Sequence, residues 1–245
     1  MTISREYYLS FIKKERKSKD AYSFSFDRKG IDLSFLPGQY IRMSLPHENP
    51  DDRGTGRFFT VSSSPTIGDT ITVTTRILES SFKKTLGNLE VGTKVRIFSP
   101  LGNFYLDEAD ETPKIFLTGG IGITPYHSML QYAADKGLKT PMTLFVSFST
   151  TQEMLFYQEL TKIAKDHSHI KIVYTVTKPE LSEGKWEGET GRISAELIKK
   201  NVVTLSKQKY FVVGPTALVR AIHRLLQEEL KVPEEKIISE NFPGY

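Results

Sequence analysis

Two short runs of this chain carry residue types suited to holding phosphate: Arg57-Phe58-Phe59-Thr60 and Gly119-Gly120-Ile121-Gly122-Ile123-Thr124-Pro125, about sixty residues apart. An arginine guanidinium is a planar fork of donors that meets two phosphate oxygens at once, and glycines let backbone N–H groups come close to an anion. Together the runs point to two bound nucleotides, one on each half of the chain, and so to electrons passing between two cofactors. The 245 residues include no cysteine. Disulfides, thiol nucleophiles and cysteine-held iron–sulfur clusters are therefore excluded, and redox chemistry here needs an organic cofactor.

The elements that must position these runs change character near residue 110. Before it, segments rich in β-branched and aromatic residues recur between turn signals: Tyr7 to Phe11, Ala21 to Phe26, Gln39 to Leu45, Phe58 to Ser62, Ile71 to Ile77 and Val95 to Phe98. Pro37-Gly38, Gly54-Thr55-Gly56, Gly68-Asp69 and Pro100-Leu101-Gly102 punctuate them. This rhythm predicts an antiparallel β-barrel over 1–109, interrupted by one helix from Ser81 to Asn88. From 110 to 245, strands at Lys114 to Thr118, Met142 to Phe148, Ile170 to Thr177, Tyr210 to Val213 and Lys236 to Ser239 alternate with helical stretches. That alternation predicts an α/β domain with a parallel sheet and crossover helices.

Two apolar stripes belong to this second core. Val219, Ile222, Leu225, Leu226 and Leu230 recur at helical spacing behind Thr216, read as an N-cap, and Leu155, Phe156, Leu160, Ile163 and Ala164 line a helix from Thr151 to Asp166. The polar stretch Lys178 to Thr190 reads as a mobile surface loop. The glycine run follows the first strand of the second half and opens a helix, with Thr124 as cap and Pro125 in the first turn, so amides from Gly120 to Thr124 would face an anion. The dinucleotide fingerprint would put a third glycine where Pro125 stands and an acid after the second strand. That strand ends instead in Ser147-Phe148-Ser149-Thr150-Thr151.

Arg57-Phe58-Phe59-Thr60, Pro37-Gly38-Gln39-Tyr40, Ser81-Phe82-Lys83-Lys84, the glycine run, Gly214-Pro215 and Glu240-Asn241-Phe242 stand in one order along the chain. In that order they resemble the ferredoxin–NADP reductase family over nearly the whole length. The resemblance implies an FAD-binding barrel followed by a nicotinamide-nucleotide domain, with hydride passing from NADH or NADPH to the flavin. It assigns Arg57 to the FAD pyrophosphate, Phe59 to one flavin face, where the family usually has tyrosine, and the Thr60 hydroxyl to the flavin edge. Phe58 belongs to the same run. Amides of Ser81, Phe82 and Lys83 would add phosphate donors, and Arg76 matches a position beside flavin or phosphate.

On the nucleotide side the resemblance sets Gly119, Gly120, Gly122 and Ile123 near the pyrophosphate and Thr124 near the nicotinamide. Gly214 and Pro215 would admit the nicotinamide, with Val213 where many relatives have cysteine. Glu240 would relay a proton or orient the nicotinamide, and Phe242 or Tyr245 would cover the flavin face. Ser149 stands where NADPH-preferring members place arginine, which favours NADH, although Arg192 or Lys178 could meet a 2′-phosphate.

The net charge of +4 is too diffuse for a nucleic-acid footprint and suits an acidic carrier. The densest basic run, Lys13, Lys14, Arg16, Lys17 and Lys19, reads as a solvated hairpin turn. No apolar run spans a bilayer, so a soluble cytoplasmic protein is expected. His47, His127, His167, His169 and His223 are scattered, and no metal site is expected. Two roles fit: a free-standing reductase that feeds ferredoxin or flavodoxin, or the flavin subunit of a multicomponent oxygenase or other redox complex. A flavin or nucleotide sensor is a third.

Overall fold

The computed structural model describes residues 4–242. Its first half is a six-stranded antiparallel sheet built from β1 (Arg5–Arg16), β2 (Ala21–Asp27), β3 (Tyr40–Ser44), β4 (Gly56–Thr60), β5 (Thr70–Arg76) and β6 (Lys94–Leu101). The spatial order is β4-β3-β6-β1-β2-β5. A bridge between Val61 and Val73 brings the edges β4 and β5 together and closes the barrel. Alternation fills it: Phe24 and Phe26 from β2, Ile41 and Met43 from β3, and Val95 and Ile97 from β6 share one core with Leu9, Phe11 and Val73.

The basic run is corrected by the pairing. Strand β1 continues to Arg16, in register with Tyr22, so Lys13, Lys14 and Arg16 lie in the strand and only Lys17 and Lys19 fall in the turn. Lysine stems are compatible with a strand when their heads reach water or an aromatic face, and Lys14 lies over the Tyr22 ring. Helix α1 (Ser81–Gly87) matches its expected span within a residue, but its cap is Ser80, whose hydroxyl accepts the Lys83 amide.

The second half is a six-stranded parallel sheet of β7 (Lys114–Gly119), β8 (Met142–Phe148), β9 (Ile170–Val176), β10 (Glu189–Thr190), β11 (Lys209–Gly214) and β12 (Ile237–Asn241), in the order β10-β9-β8-β7-β11-β12. Helices α2 (Thr124–Lys136) and α3 (Tyr157–Asp166) supply Met129, Leu130, Leu160 and Ile163 to one core. Helices α4 (Ala195–Asn201) and α5 (Thr216–Arg224) supply Leu197, Ile198, Val219 and Ile222 to the other. A parallel sheet needs both faces covered, which is why β7, β8 and β11 are nearly continuous apolar runs.

Three details differ from the sequence reading. The stretch Lys178 to Thr190 contains β10, which pairs with β9, and Trp186 donates its indole N–H to the Glu189 carbonyl. A two-residue edge strand is too short to show periodicity. The helix expected from Thr151 breaks at Phe156, whose φ of 57° is left-handed; a single 3₁₀ turn, Thr151–Glu153, precedes it. Leu155, Phe156, Leu160 and Ile163 are nonetheless buried. Thr216 is the first residue of α5 and not its cap: Pro215 precedes it and no side chain caps the amides. The stripe from Val219 to Leu230 is buried, its last turn Leu225–Glu229 being π-helical.

The connection after β7 leads towards β8, whereas the one after β11 leads the other way, to β12. Between β7 and β11 the order therefore reverses. Chain leaving two neighbouring strands in opposite directions opens a crevice at their carboxyl ends, where open α/β sheets bind ligands. No helix among the described residues is long and apolar enough to cross a membrane.

Candidate functional site

Strand β4 carries the arginine run along the barrel wall, and its neighbour β3 places Tyr40 and Arg42 on the same wall. A cavity of about 940 Å³ opens there, lined by Tyr40, Arg42, Arg53, Arg57, Phe58, Phe59, Thr60 and Lys83 from the barrel. Ile121, Thr124, Glu240, Asn241 and Phe242 line it from the other half. Alternation along β4 gives the two phenylalanines different positions. Phe59 is buried in the barrel core against Phe82, whereas Phe58 is 61% exposed, with its ring edge-on to Tyr40 at 5.6 Å.

Arg57 is 8% exposed and already held: Nη1 donates to the Gly54 and Gly56 carbonyls, each at 2.8 Å, and Nη2 pairs with Asp51 at 2.7 Å. Asp51 also grips Arg53, and the Arg53 hydrogen bonds, reinforced by Arg57, pull its carboxyl down to about 2. The buried Lys83 ammonium lies 4.9 Å from the Phe59 ring centre and donates to Thr75 Oγ1. Burial first, then the nearby Arg57 and Arg53 charges, push Lys83 down to about 7. Four basic side chains line this cavity, against one lining carboxylate among the described residues, Glu240. Such a surplus fits a polyanionic ligand, which would restore the Lys83 charge.

Of the three α1 amides expected to meet phosphate, that of Lys83 is already engaged. The Lys83 amide is taken by the Ser80 hydroxyl at 3.3 Å, Ser81 Oγ donates to the Asn49 carbonyl, and Phe82 is wholly buried against Phe59 and His47. Of the three residues only Lys83 reaches the cavity, through its side chain.

The second space is a cleft of about 280 Å³ at the carboxyl ends of β7, β8 and β11. Gly119, Gly120, Ser147, Ser149 and Pro215 line it, together with Arg76 from the barrel. Arg76 therefore belongs to this cleft and does not line the barrel cavity. Gly120 adopts a φ of 55°, which glycine alone takes without strain. At Gly122 a Cβ would collide with Thr118 Oγ1 and lie 3.0 Å from the Val213 carbonyl, because the Thr118 hydroxyl donates to that carbonyl and ties β7 to β11. Residues Gly120–Ile123 form a 3₁₀ turn that runs straight into α2. Thr124 is thus the first residue of α2 and not its cap, its hydroxyl donating to the Ile121 carbonyl at 3.1 Å, while Pro125 occupies the first turn. Ile123 and Gly122 are buried beneath the loop.

Ile121 lines both the cavity and the cleft, so the two spaces are neighbours that share one wall residue. On the cavity side β12 presents Glu240, paired in register with Val213. Burial pushes the Glu240 carboxyl up to about 7, and its Oε2 has no hydrogen-bond partner among the described residues. The Phe242 amide donates to the Gly214 carbonyl at 2.9 Å, which holds Phe242 beside the end of β11. Tyr245 lies outside the described residues. Ser149 lines the cleft; Lys178 and Arg192 are not among the residues that do. The sequence reading missed Arg42 and Arg53. Period two from Tyr40 would have put Arg42 on the cavity face, whereas Arg53 sits in a loop, where no periodicity operates.

Residues 116–224 match the family model described as an oxidoreductase NAD-binding domain. Among solved structures, the FAD/NAD-binding domain of nitric oxide dioxygenase from Vibrio cholerae aligns with a TM-score of 0.83 at 20% identity, covering 96% of this chain and 98% of that one. A ferredoxin NADP+ reductase from Neisseria gonorrhoeae, solved with FAD and NADP bound, aligns with a TM-score of 0.77 at 17% identity, covering 98% and 99%. The chain has the ferredoxin–NADP reductase fold. Gly119, Gly120, Ser149 and Pro215 of the cleft lie within the span that this family model matches, whereas Glu240 and Phe242 follow it. Among curated proteins, the glycine betaine monooxygenase reductase subunit of Chromohalobacter salexigens is 25% identical over 195 residues, 79% of this chain. The chain spans about half of that relative, 52% of its length.

Proposed function

We propose that the chain is an NAD(P)H-dependent FAD oxidoreductase that passes electrons to a separate acceptor, with FAD in the barrel cavity and the dinucleotide in the cleft. The observation that carries this reading is the shared wall at Ile121, where a cationic cavity large enough for a dinucleotide cofactor adjoins a cleft whose glycine turn lies in the span matched by the NAD-binding family model. The domain boundary near residue 110 belongs to the same proposal.

Bound FAD and nicotinamide would together supply two-electron acceptance and one-electron release. The chain supplies position and charge. Arg53, Arg57 and Lys83 would hold the FAD phosphates, Asp51 keeping the two arginines oriented. Phe58 and Tyr40 give aromatic surface, and the Thr60 hydroxyl would meet the flavin edge. Phe59, packed on Phe82 in the barrel core, would back the cavity wall and not lie on a flavin face as the resemblance implied. Gly120 allows close backbone approach to the dinucleotide, Gly122 lets β7 and β11 close up behind the turn, Ser149 would lie at the ribose, and this hydroxyl favours NADH. Thr124, Gly214 and Pro215 flank the path to the flavin, Phe242 excludes water from it, and Glu240 can hold a proton at its carboxylate at neutral pH.

The acceptor proposed is an acidic ferredoxin or flavodoxin, with the cytoplasm as location. The glycine betaine monooxygenase reductase subunit among the relatives favours a second reading, a flavin subunit working beside an oxygenase or other redox partner. An anaerobic titration of the flavin-loaded protein with NADH and NADPH, followed by flavin absorbance, tests the core proposal. Bleaching is expected, with NADH the tighter donor; a flavin that stays oxidised with both defeats it.

A further inference from the structure

Arg76 and Glu153 face each other across the mouth of the cleft from different halves of the molecule. Arg76 ends β5 of the barrel, and Glu153 closes the 3₁₀ turn after β8. Their ion pair, Nη2 to a Glu153 carboxylate oxygen, is 3.0 Å long, and both side chains are about three-quarters shielded from water. Both line the cleft. The guanidinium lies over the glycine turn, its Nη2 only 3.5 Å from where a Cβ on Gly120 would stand. Its Nε is buried and makes no hydrogen bond among the described residues, the Asp20 carboxylate being 3.6 Å away.

We infer that Glu153 is an affinity-determining residue of the dinucleotide cleft, a built-in carboxylate that occupies Arg76 and must give it up when a pyrophosphate arrives. This rests on the proposed use of the cleft for NAD(P)H. The physical reason is competition for one fork of donors. Arg76 is the barrel's only cation lining this cleft among the described residues, and a pyrophosphate on the glycine turn would lie within reach of it. Glu153 opposes that ligand twice, by holding the guanidinium and by placing its own negative charge beside the phosphates. The pair also spans the two sheets, so exchange of partners would couple dinucleotide binding to the contact between them. An exposed pair would be worth little; one shielded at a cleft mouth is screened less.

The test is a binding cycle on the full-length, flavin-loaded protein: wild type, Glu153→Gln, Arg76→Gln and the double variant, titrated with NADH, ADP and adenosine. Glu153→Gln is expected to tighten NADH and ADP by about fivefold, the size of a partly shielded ion pair. Adenosine, which carries no phosphate, should bind as it does to wild type. In the Arg76→Gln background the release of Arg76 is lost, so the gain should shrink. Glu153→Ala should tighten as the glutamine variant does, which separates charge from packing. Unchanged or weaker NADH and ADP binding in both Glu153 variants overturns the inference, as does equal tightening of adenosine. If wild type itself neither binds NAD(P)H nor is reduced by it, the proposed function has failed. If wild type binds but the Glu153 variants do not tighten, only this inference has.

Discussion

At the residue scale, charge accounting decides most of the barrel site. Arg57 is buried with two carbonyls and Asp51 around it, so Arg57→Lys, which keeps a charge but loses the fork, is expected to cost about 2 kcal/mol of FAD binding, roughly thirtyfold. Flavin occupancy of the purified variant checks this, with a melting curve to show that the barrel is intact. Glu240 and Lys83 both sit near 7, and once a polyanionic ligand restores the Lys83 charge, Glu240 is the group left titrating near neutrality. Its folded carboxyl sits near 7 against an ordinary value of 4.5, so it favours the fold below pH 4.5 and loses that contribution as pH rises through 7. Its proton is present below pH 7 and lost above, so flavin reduction by NADH should slow across that point, and Glu240→Gln should flatten the profile. A variant that retains the wild-type slope would free Glu240 from the role. Ser149→Arg places a fork in the cleft where a 2′-phosphate would lie, and the KM for NADPH should drop about tenfold. Steady-state kinetics with both donors read it.

At the element scale, the cleft depends on how closely β7 and β11 approach. The Thr118 hydroxyl bonds the Val213 carbonyl in the space a side chain on residue 122 would need. Gly122→Ala must push these strands apart or break that bond, at a cost of roughly 1–3 kcal/mol, with weaker NADH binding. Thermal melting and the same titration measure both. The strands and most helices were legible because alternation along β2 and β6 and the 3.6-residue stripe of α5 are dictated by which faces are buried. The breaks were not. Phe156 is apolar and fits the helical stripe by spacing, yet it takes a left-handed backbone and stacks its ring 3.9 Å from that of His127, a neighbour 29 positions earlier in sequence.

At the scale of the whole molecule, the two sheets are joined by more than the site. His127 and Ser128 of α2 bond the Ser62 and Ser63 carbonyls, Lys17 pairs with Glu159, and Ala21, Phe104 and Leu106 enter the core of the second half. This extensive contact holds cavity and cleft in one arrangement, so packing would set the distance between rings bound in the two. The molecule's net charge of +4 gives a prediction at the same scale. Turnover with an acidic ferredoxin should fall steeply as ionic strength rises from about 0.05 to about 0.5 M, while turnover with a small neutral quinone should hardly change. Equal salt dependence for both acceptors would remove the electrostatic docking argument.

The sequence by itself determined the order of the elements, the barrel followed by the parallel sheet, and the runs that line cavity and cleft, because period, turn residues and glycine requirements are local properties of the chain. Tertiary structure decided which side chains share a space. Arg76 and Lys83 come from neighbouring stretches of one barrel, yet one reaches the cleft of the second half and the other the barrel cavity. Arg42 and Arg53 join Arg57 only when β3 and the loop before β4 fold against it. The Glu240 carboxyl is pushed up to about 7 because residues far away in the chain bury one of its oxygens. Burial and charge proximity are sums over residues far apart in the chain, and no local pattern encodes them.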